Sequence, residues 1–370
     1  MIDRRLATIR IAQQRVFCEN HTTFTIPTSC MPSIFLKAIL FGLFFLSTLA
    51  HAETLEKPNI TIAVGGKATL FYLPLTLAER LGYFKDEGLT VEIPDFPGGA
   101  KSLQALIGGS ADIVAGGFDH TIHMQTMAQK LSAFVALSTN PTISFGVAKA
   151  KAANYTWHKD LKGMKVGVTA PGSSSHMMLD HLLASVHLKP DDVAVIGVGT
   201  GPQAVAAMRS GQIDALVNVE PVMTLLEKQG LMTVMAETTT TKGTRDVFGG
   251  PLLSGTLYTK ASFIAANPKT IQAVTNAMVR ALKWIKTATP DQLVAALPPE
   301  YLLGDKALYL EVFEKLRANY SPDGMISAAA VKNSYEVLKA HNATVKRSPV
   351  VWLDQTYDMT FVKNALAKMK

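Results

Sequence analysis

The chain has 370 residues, 48% of them hydrophobic and 18% charged, which excludes a disordered or low-complexity polymer and allows a sizeable core. Thirty-six Lys and Arg against 29 Asp and Glu give a formal charge of +7; it is spread along the chain, so no nucleic-acid partner is expected. The two cysteines, Cys18 and Cys30, form no Cys-x-x-Cys pair, which excludes a disulfide framework and a thiolate metal site.

Residues 38–50 (AILFGLFFLSTLA) are 13 consecutive uncharged, mostly apolar positions after Lys37, followed by Ala50-His51-Ala52. A charged start, an apolar middle and an A-x-A end predict a secretory signal peptide over 1–52. The apolar run is too short for a bilayer span of about 20 residues. Because thirty residues precede Met31, translation is expected to begin at Met31. Cleavage after Ala52 leaves 318 residues without cysteine; five basic and two acidic residues leave with the leader, so +7 falls to +4. The expected location is the periplasm.

From Lys57 onward, short β-branched runs alternate with helical segments, the pattern of parallel α/β sheets. Strands are predicted at 60–64, 89–93, 111–115 and 132–138. Helices fall across 72–83, from the Pro97-Gly98-Gly99 turn to Ile107, and from Asp119 to Gln129. The order then recurs with strands at 164–169, 193–198 and 213–219, and a helix running from the Gly172–Ser175 loop to Val186. At an offset of 102 residues, Gly99, Ala105, Gly109 and Asp112 match Gly201, Ala207, Gly211 and Asp214. One repeat of that length implies two similar lobes rather than a solenoid. Strands at 143–148 and 252–259 bracket the second copy and are read as two crossings. The lobes are then 53–148 plus 251–370, and 149–250, with helices at 261–287, 306–318, 328–341 and 355–368. Two crossings make a hinge, and hinges close around ligands.

Ligands bind at strand-to-helix loops on one edge of an open parallel sheet. Those loops hold Gly65-Gly66-Lys67, Pro97-Gly98-Gly99, Gly116-Gly117-Phe118-Asp119, Gly172-Ser173-Ser174-Ser175 and Gly199-Thr200-Gly201. Glycine admits close backbone approach, and helix starts present free N–H groups and a positive dipole end to an anion. One serine suffices to cap a helix, so at least one of Ser173, Ser174 and Ser175 is expected to contact ligand. Tyr72 and Phe118 are kept as aromatic walls of the cleft; Trp157 reads as a core or lobe-surface residue.

Three catalytic or cofactor readings fail on spacing. Val193–Glu220 offers G-x-G-x-G rather than G-x-G-x-x-G, with a short helix, so a dinucleotide site is rejected. Gly66-Lys67-Ala68 lacks the upstream glycine of a P-loop, that position being Thr61. Ser175, His176 and Asp180 lack a G-x-S-x-G elbow, and His176 with Asp180 reads as an i, i+4 surface pair. His120 and His123 want a third metal ligand. No catalytic residue, metal or cofactor is assigned.

LPLTLAERLGYFKDEGLTVEI (73–93), LIGGSADIVAGG (106–117), DLKGMKVGVTAPGSSSHMMLDHLL (160–183) and MRSGQIDALVNVEP (208–221) resemble the nitrate/sulfonate/taurine-type (NMT1-like) substrate-binding proteins of ABC transporters. The resemblance covers about 58–290. It implies a type II periplasmic binding fold, two α/β lobes joined by a two-strand hinge. It also implies a non-enzymatic, monomeric protein that hands a small-molecule ligand to a membrane permease with a cytoplasmic ATPase. Carried over by position, the family's cleft loops fall at Lys67–Tyr72, Gly117–His120, Ser173–Ser175, Thr200–Gln203 and Asn218–Glu220. Ligand contacts are thus expected from Lys67, Tyr72, Gly117, Phe118, Asp119, Ser173, Ser174, Ser175, Gly201, Asn218 and Glu220. Lys67 and the serines suit sulfonate or nitrate, whereas Asp119 and Glu220 repel an anion unless paired or aimed at a cation. Glu220 either receives an amine, as in taurine or a pyrimidine, or caps a helix. Fungal pyrimidine-precursor synthases of thiamine biosynthesis resemble the same fold but carry a cysteine-rich iron motif, absent after Cys30. An enzyme of that kind and a periplasmic sensor are the alternative readings.

Overall fold

The computed structural model describes residues 54–370 apart from Trp157, Leu303, Pro349 and Lys370. The expected signal peptide at 1–52, with Met31, and the reading of Trp157 lie outside the described residues.

Hydrophobic runs too continuous for a half-exposed sheet need cover on both faces, and the chain builds two such sheets. In the first, β1 (Asn59–Val64), β2 (Thr90–Glu92), β3 (Ile113–Gly117), β4 (Leu131–Ala136) and β10 (Gly255–Lys260) lie in the order β2-β1-β3-β10-β4. In the second, β5 (Ile143–Ala148), β6 (Lys165–Val168), β7 (Ala194–Gly197), β8 (Ala215–Val219) and β9 (Met232–Glu237) lie in the order β7-β6-β8-β5-β9. β3 and β4 are buried along their whole length. In each sheet one antiparallel strand is inserted among parallel ones: β10 between β3 and β4, β5 between β8 and β9. The result is the type II periplasmic binding fold, two α/β lobes with the same strand order.

The repeat in the sequence is a repeat of contacts. Gly109 and Gly211 both end a helix in the left-handed region, at φ +82° and +71°, where an L-side chain is strained. Asp112 Oδ2 accepts the Thr61 N–H at 3.0 Å, and Asp214 Oδ2 accepts the Lys165 N–H at 2.8 Å. Each aspartate also pairs with a lysine, Lys57 or Lys151. The two acids therefore pin equivalent strand starts.

The strand at 143–148, assigned from sequence to the first lobe as a crossing, is β5 and pairs with β8 and β9 of the second sheet. The chain crosses just before it, at 137–142, and returns over 238–254. The crossings bond to each other: Thr142 N–H donates to Thr238 O, and Thr238 N–H to Ile143 O. The helix predicted as one piece over 261–287 breaks at Asn267-Pro268 into Ala261–Ala266 and Pro268–Thr287, since proline starts a helix but cannot continue one. The last helix is Thr360–Lys368 rather than 355–368.

A third segment, not foreseen from the sequence, braces the hinge. After the helix Lys306–Arg317, Asn319 reaches both crossings. Asn140 Nδ2 donates to Asn319 Oδ1 at 2.7 Å, Asn140 Oδ1 accepts from Thr244 Oγ1 at 3.1 Å, and Asn319 Nδ2 donates to Thr239 O. The helix Ala328–His341 then packs on Ser174–Ser185 of the second lobe.

Two outcomes are expected. Asn140→Ala strands buried partners and should lower the unfolding free energy in urea by about 1–3 kcal/mol. At the end of the bracing helix, His341 is held down to about 4 by burial, with His181 and His176 adding like charge. Its Nε2 has no partner. Between about pH 4 and 6.5 the unfolded chain therefore binds more protons, so stability should fall as the pH drops through that window, by about 1–3 kcal/mol in all. Asp180, pushed up by burial, acts in the opposite sense at the acidic end. His341→Phe should flatten the profile measured by denaturant titration at several pH values.

Candidate functional site

The helices that follow the strands start at the sheet edges: α1 (Leu73–Arg80), α2 (Gly99–Gly108) and α3 (Asp119–Gln125) in the first lobe, α4 (Ser174–Ser185) and α5 (Pro202–Arg209) in the second. None of the five has a side-chain cap at its N-cap residue, so no N-cap side chain satisfies their first N–H groups; α1 and α5 also carry proline in that first turn.

An inner recess of about 30 Å³ lies where the lobes meet, bordered by Tyr72, Gly99 and Gly117 from one side and Thr169, Ser173–Ser175 and Thr200 from the other. That is space for about one water. An outer chamber of about 650 Å³ opens beyond Thr200, which borders both; Gly66, Asp95, Gly201 and Gln203 line it. A cavity of about 240 Å³ lies at the rear against Asp119, His123, His176, Asp180 and His341. The contact between the two front spaces is close: a Cβ on Gly66, already at φ +102°, would stand 2.3 Å from Thr200 Oγ1.

Of the residues singled out in the sequence, Tyr72, Gly117 and the three serines border the recess, Asp119 the rear cavity and Gly201 the outer chamber. The serine hydroxyls, expected to face ligand, bond to protein. Ser173 Oγ accepts the Ala100 N–H at 3.0 Å across the lobes, and Ser174 Oγ donates to Asp119 Oδ1 at 2.5 Å, also across them. Ser175 Oγ accepts the Thr169 N–H at 3.0 Å and bonds Thr169 Oγ1 at 2.8 Å. A further cross-lobe bond runs from Leu70 N–H to Glu220 O at 3.2 Å.

Four expected contacts sit elsewhere. Lys67 Nζ binds Glu79 at 2.9 Å. Phe118 is wholly buried in the first lobe's core. Asn218 is also fully buried; its Nδ2 donates to Gly199 O. Glu220 accepts both the N–H and the hydroxyl of Thr224, at 3.0 and 2.9 Å, which is the helix-capping alternative; burial raises its pKa, against the lowering effect of those bonds. His176 Nδ1 accepts the Gly172 N–H at 2.9 Å, and its Nε2 is 3.6 Å from Asp180 Oδ1. With Ser175 turned to Thr169, the serine, histidine and aspartate do not form a relay.

His120, weighed in the sequence as half of a metal pair with His123 and as the end of a cleft loop, is a buried residue of the lobe contact. It is 2% exposed, its Nδ1 lies 2.8 Å from Tyr258 Oη, and its Nε2 has no partner. A Cβ on Gly99 would lie 3.4 Å from its Cε1, so the ring adjoins the recess. Tyr72 and Tyr258 keep their phenolic protons: burial raises both, and the Asp119 charge adds to each. Only the position of His120 directly after Asp119 at a cleft loop signalled it.

Residues 53–297 match the model of the NMT1-like family. The chain belongs to that family. A solved structure from Bordetella bronchiseptica RB50 is 44% identical with a TM-score of 0.83, covering 86% of this chain and 99% of that one. YtlA of Bacillus subtilis (strain 168), which carries the name of a binding protein, is 26% identical over 81% of this chain and 86% of its own. The 4-amino-5-hydroxymethyl-2-methylpyrimidine phosphate synthase of Schizosaccharomyces pombe is 29% identical over 44% of this chain, and the match spans only 45% of that enzyme. The alkanesulfonate-binding protein SsuA of Xanthomonas axonopodis pv. citri, solved with MOPS, shares the fold at a TM-score of 0.62 and 20% identity, over 83% and 100% of the two chains.

Gly117 tests the geometry of this family member's cleft. A Cβ there would lie 2.0 Å from Ser174 Oγ and 2.3 Å from Asp119 Oδ1. Gly117→Ala should hold the lobes apart, raising the radius of gyration in X-ray scattering at a stability cost of about 1–3 kcal/mol. An unchanged profile would show that the serine and aspartate swing aside instead.

Proposed function

We propose that the chain is the ligand-capturing component of an ABC importer, a monomer exported to the periplasm with its leader removed after Ala52. Open lobes take a small polar solute into the space between Tyr72, Gly117 and the α4 start, close on it, and dock on a permease with a cytoplasmic ATPase. The observation that carries this reading is the recess itself, built half from each lobe and sealed by bonds that exist only when the lobes meet: Ser173 to Ala100, Ser174 to Asp119 and Leu70 to Glu220. Membership of the NMT1-like family and a fold shared with a sulfonate-binding protein support it.

The pyrimidine synthases among the relatives favour a second reading, a thiamine-precursor ligand that is bound or transformed. Binding is the stronger form of it, because the cysteine-rich iron motif of those enzymes has no counterpart after Cys30.

Ligand-stripped mature protein should be screened by thermal shift against sulfonates, taurine, nitrate, aromatic acids and pyrimidine precursors. A ligand at 100 times its Kd stabilises by about 2.7 kcal/mol, so one class should raise Tm clearly. Turnover of that compound by purified protein would favour an enzyme, and silence across every class would defeat the capture reading.

A further inference from the structure

Asp119, 6% exposed, stands between the rear cavity, which it lines, and Gly117 of the recess, whose Cβ position is 2.3 Å from its Oδ1. Its Oδ1 accepts the hydroxyl proton of Ser174, the first residue of α4. The start of a helix carries unpaired N–H groups and the positive end of its dipole, the environment an oxyanion seeks. Ser173 leaves that start uncapped, because its hydroxyl accepts from Ala100 of the other lobe instead. Gly117 provides the space, since any Cβ there would overlap both Ser174 Oγ and Asp119 Oδ1. Asp119 Oδ2 lies 4.0 Å from His120 Nε2, itself buried and without a partner. Among the described residues, neither Lys nor Arg lines the recess, the outer chamber or the rear cavity, and Lys67 is turned to Glu79.

We infer that Asp119 is an internal counter-anion: it holds the oxyanion position at the α4 start and reserves the cleft for guest groups that bring N–H donors or positive charge, excluding sulfonate and nitrate. The inference rests on the capture reading and narrows it. A donor-bearing head can meet Asp119 Oδ2 and His120 Nε2 while the Asp119–Ser174 bond stays closed. An oxyanion must either displace the carboxylate or sit against it, where low solvent access strengthens like-charge repulsion.

The test uses ligand-stripped mature protein with sodium ethanesulfonate and sodium nitrate as probes, read by thermal shift and titration calorimetry against sodium chloride at equal ionic strength. Wild type should show no shift beyond the chloride control. Asp119→Asn, which keeps the size and a bond to Ser174, and Asp119→Ser should each bind ethanesulfonate at least about tenfold more tightly than wild type, equivalent to about 1.4 kcal/mol. Wild-type binding of either oxyanion as tight as that of the variants would overturn the inference while leaving capture intact. Folded variants that gain no oxyanion affinity would overturn it too. Failure of the capture reading has a different mark, the absence of any stabilising solute in the wider screen.

Discussion

Two short crossings, bonded to each other at Thr142, Ile143 and Thr238, fix where everything else in the molecule can be. The parallel strands of each sheet bring their carboxyl ends to one edge, and the crossings turn those edges of the two lobes toward one another. Uncapped helix starts, glycine loops and short polar side chains then meet across a gap a few ångströms wide. The serine bonds to Ala100 and Asp119 are consequences of that confrontation.

How far the sequence could be read follows from the range of the forces involved. Features set within a single strand–helix unit were legible. Gly109 and Gly211 ending helices, Asp112 and Asp214 opening strands, and the apolar runs of β3 and β4 all depend on neighbours within one lobe's repeating unit. The serine loop shows the limit. A run of three hydroxyls beside a glycine marks a cleft rim, yet the partners of Ser173 and Ser174 lie 73 and 55 residues away. No local pattern encodes that pairing, so the bonds by which these two hydroxyls join the lobes could not be read from the loop alone. Lys67 is similar: its partner Glu79 lies twelve residues on, in the following helix, and no pattern around Lys67 announces the pairing. The burial of His120 and its Tyr258 partner were not legible because they come from β10, which reaches β3 only after the chain has built the other lobe.

The brace formed by Asn319 and the helix Ala328–His341 alters the mechanics of a two-ribbon hinge. Lys315 pairs with Glu237 at 2.9 Å and Lys228 with Glu311, tying the helix Lys306–Arg317 to the second lobe. Exposed pairs of this kind are worth little each; the buried amide network of Asn140 and Asn319 contributes more. A swing that opens the front must therefore either carry the C-terminal helix along or slide it over α4, past the histidines at its end.

The insertion of β10 between β3 and β4 has a bearing on biogenesis. The second lobe's sheet is complete in one contiguous stretch, β5 to β9, whereas the first lacks the strand that joins β3 to β4 until residue 260 has been made, more than 120 residues after β4. Pairings of such long sequence separation form slowly. Until β10 arrives β4 has no partner in its sheet, so the lobe whose chain begins first is the one that closes last.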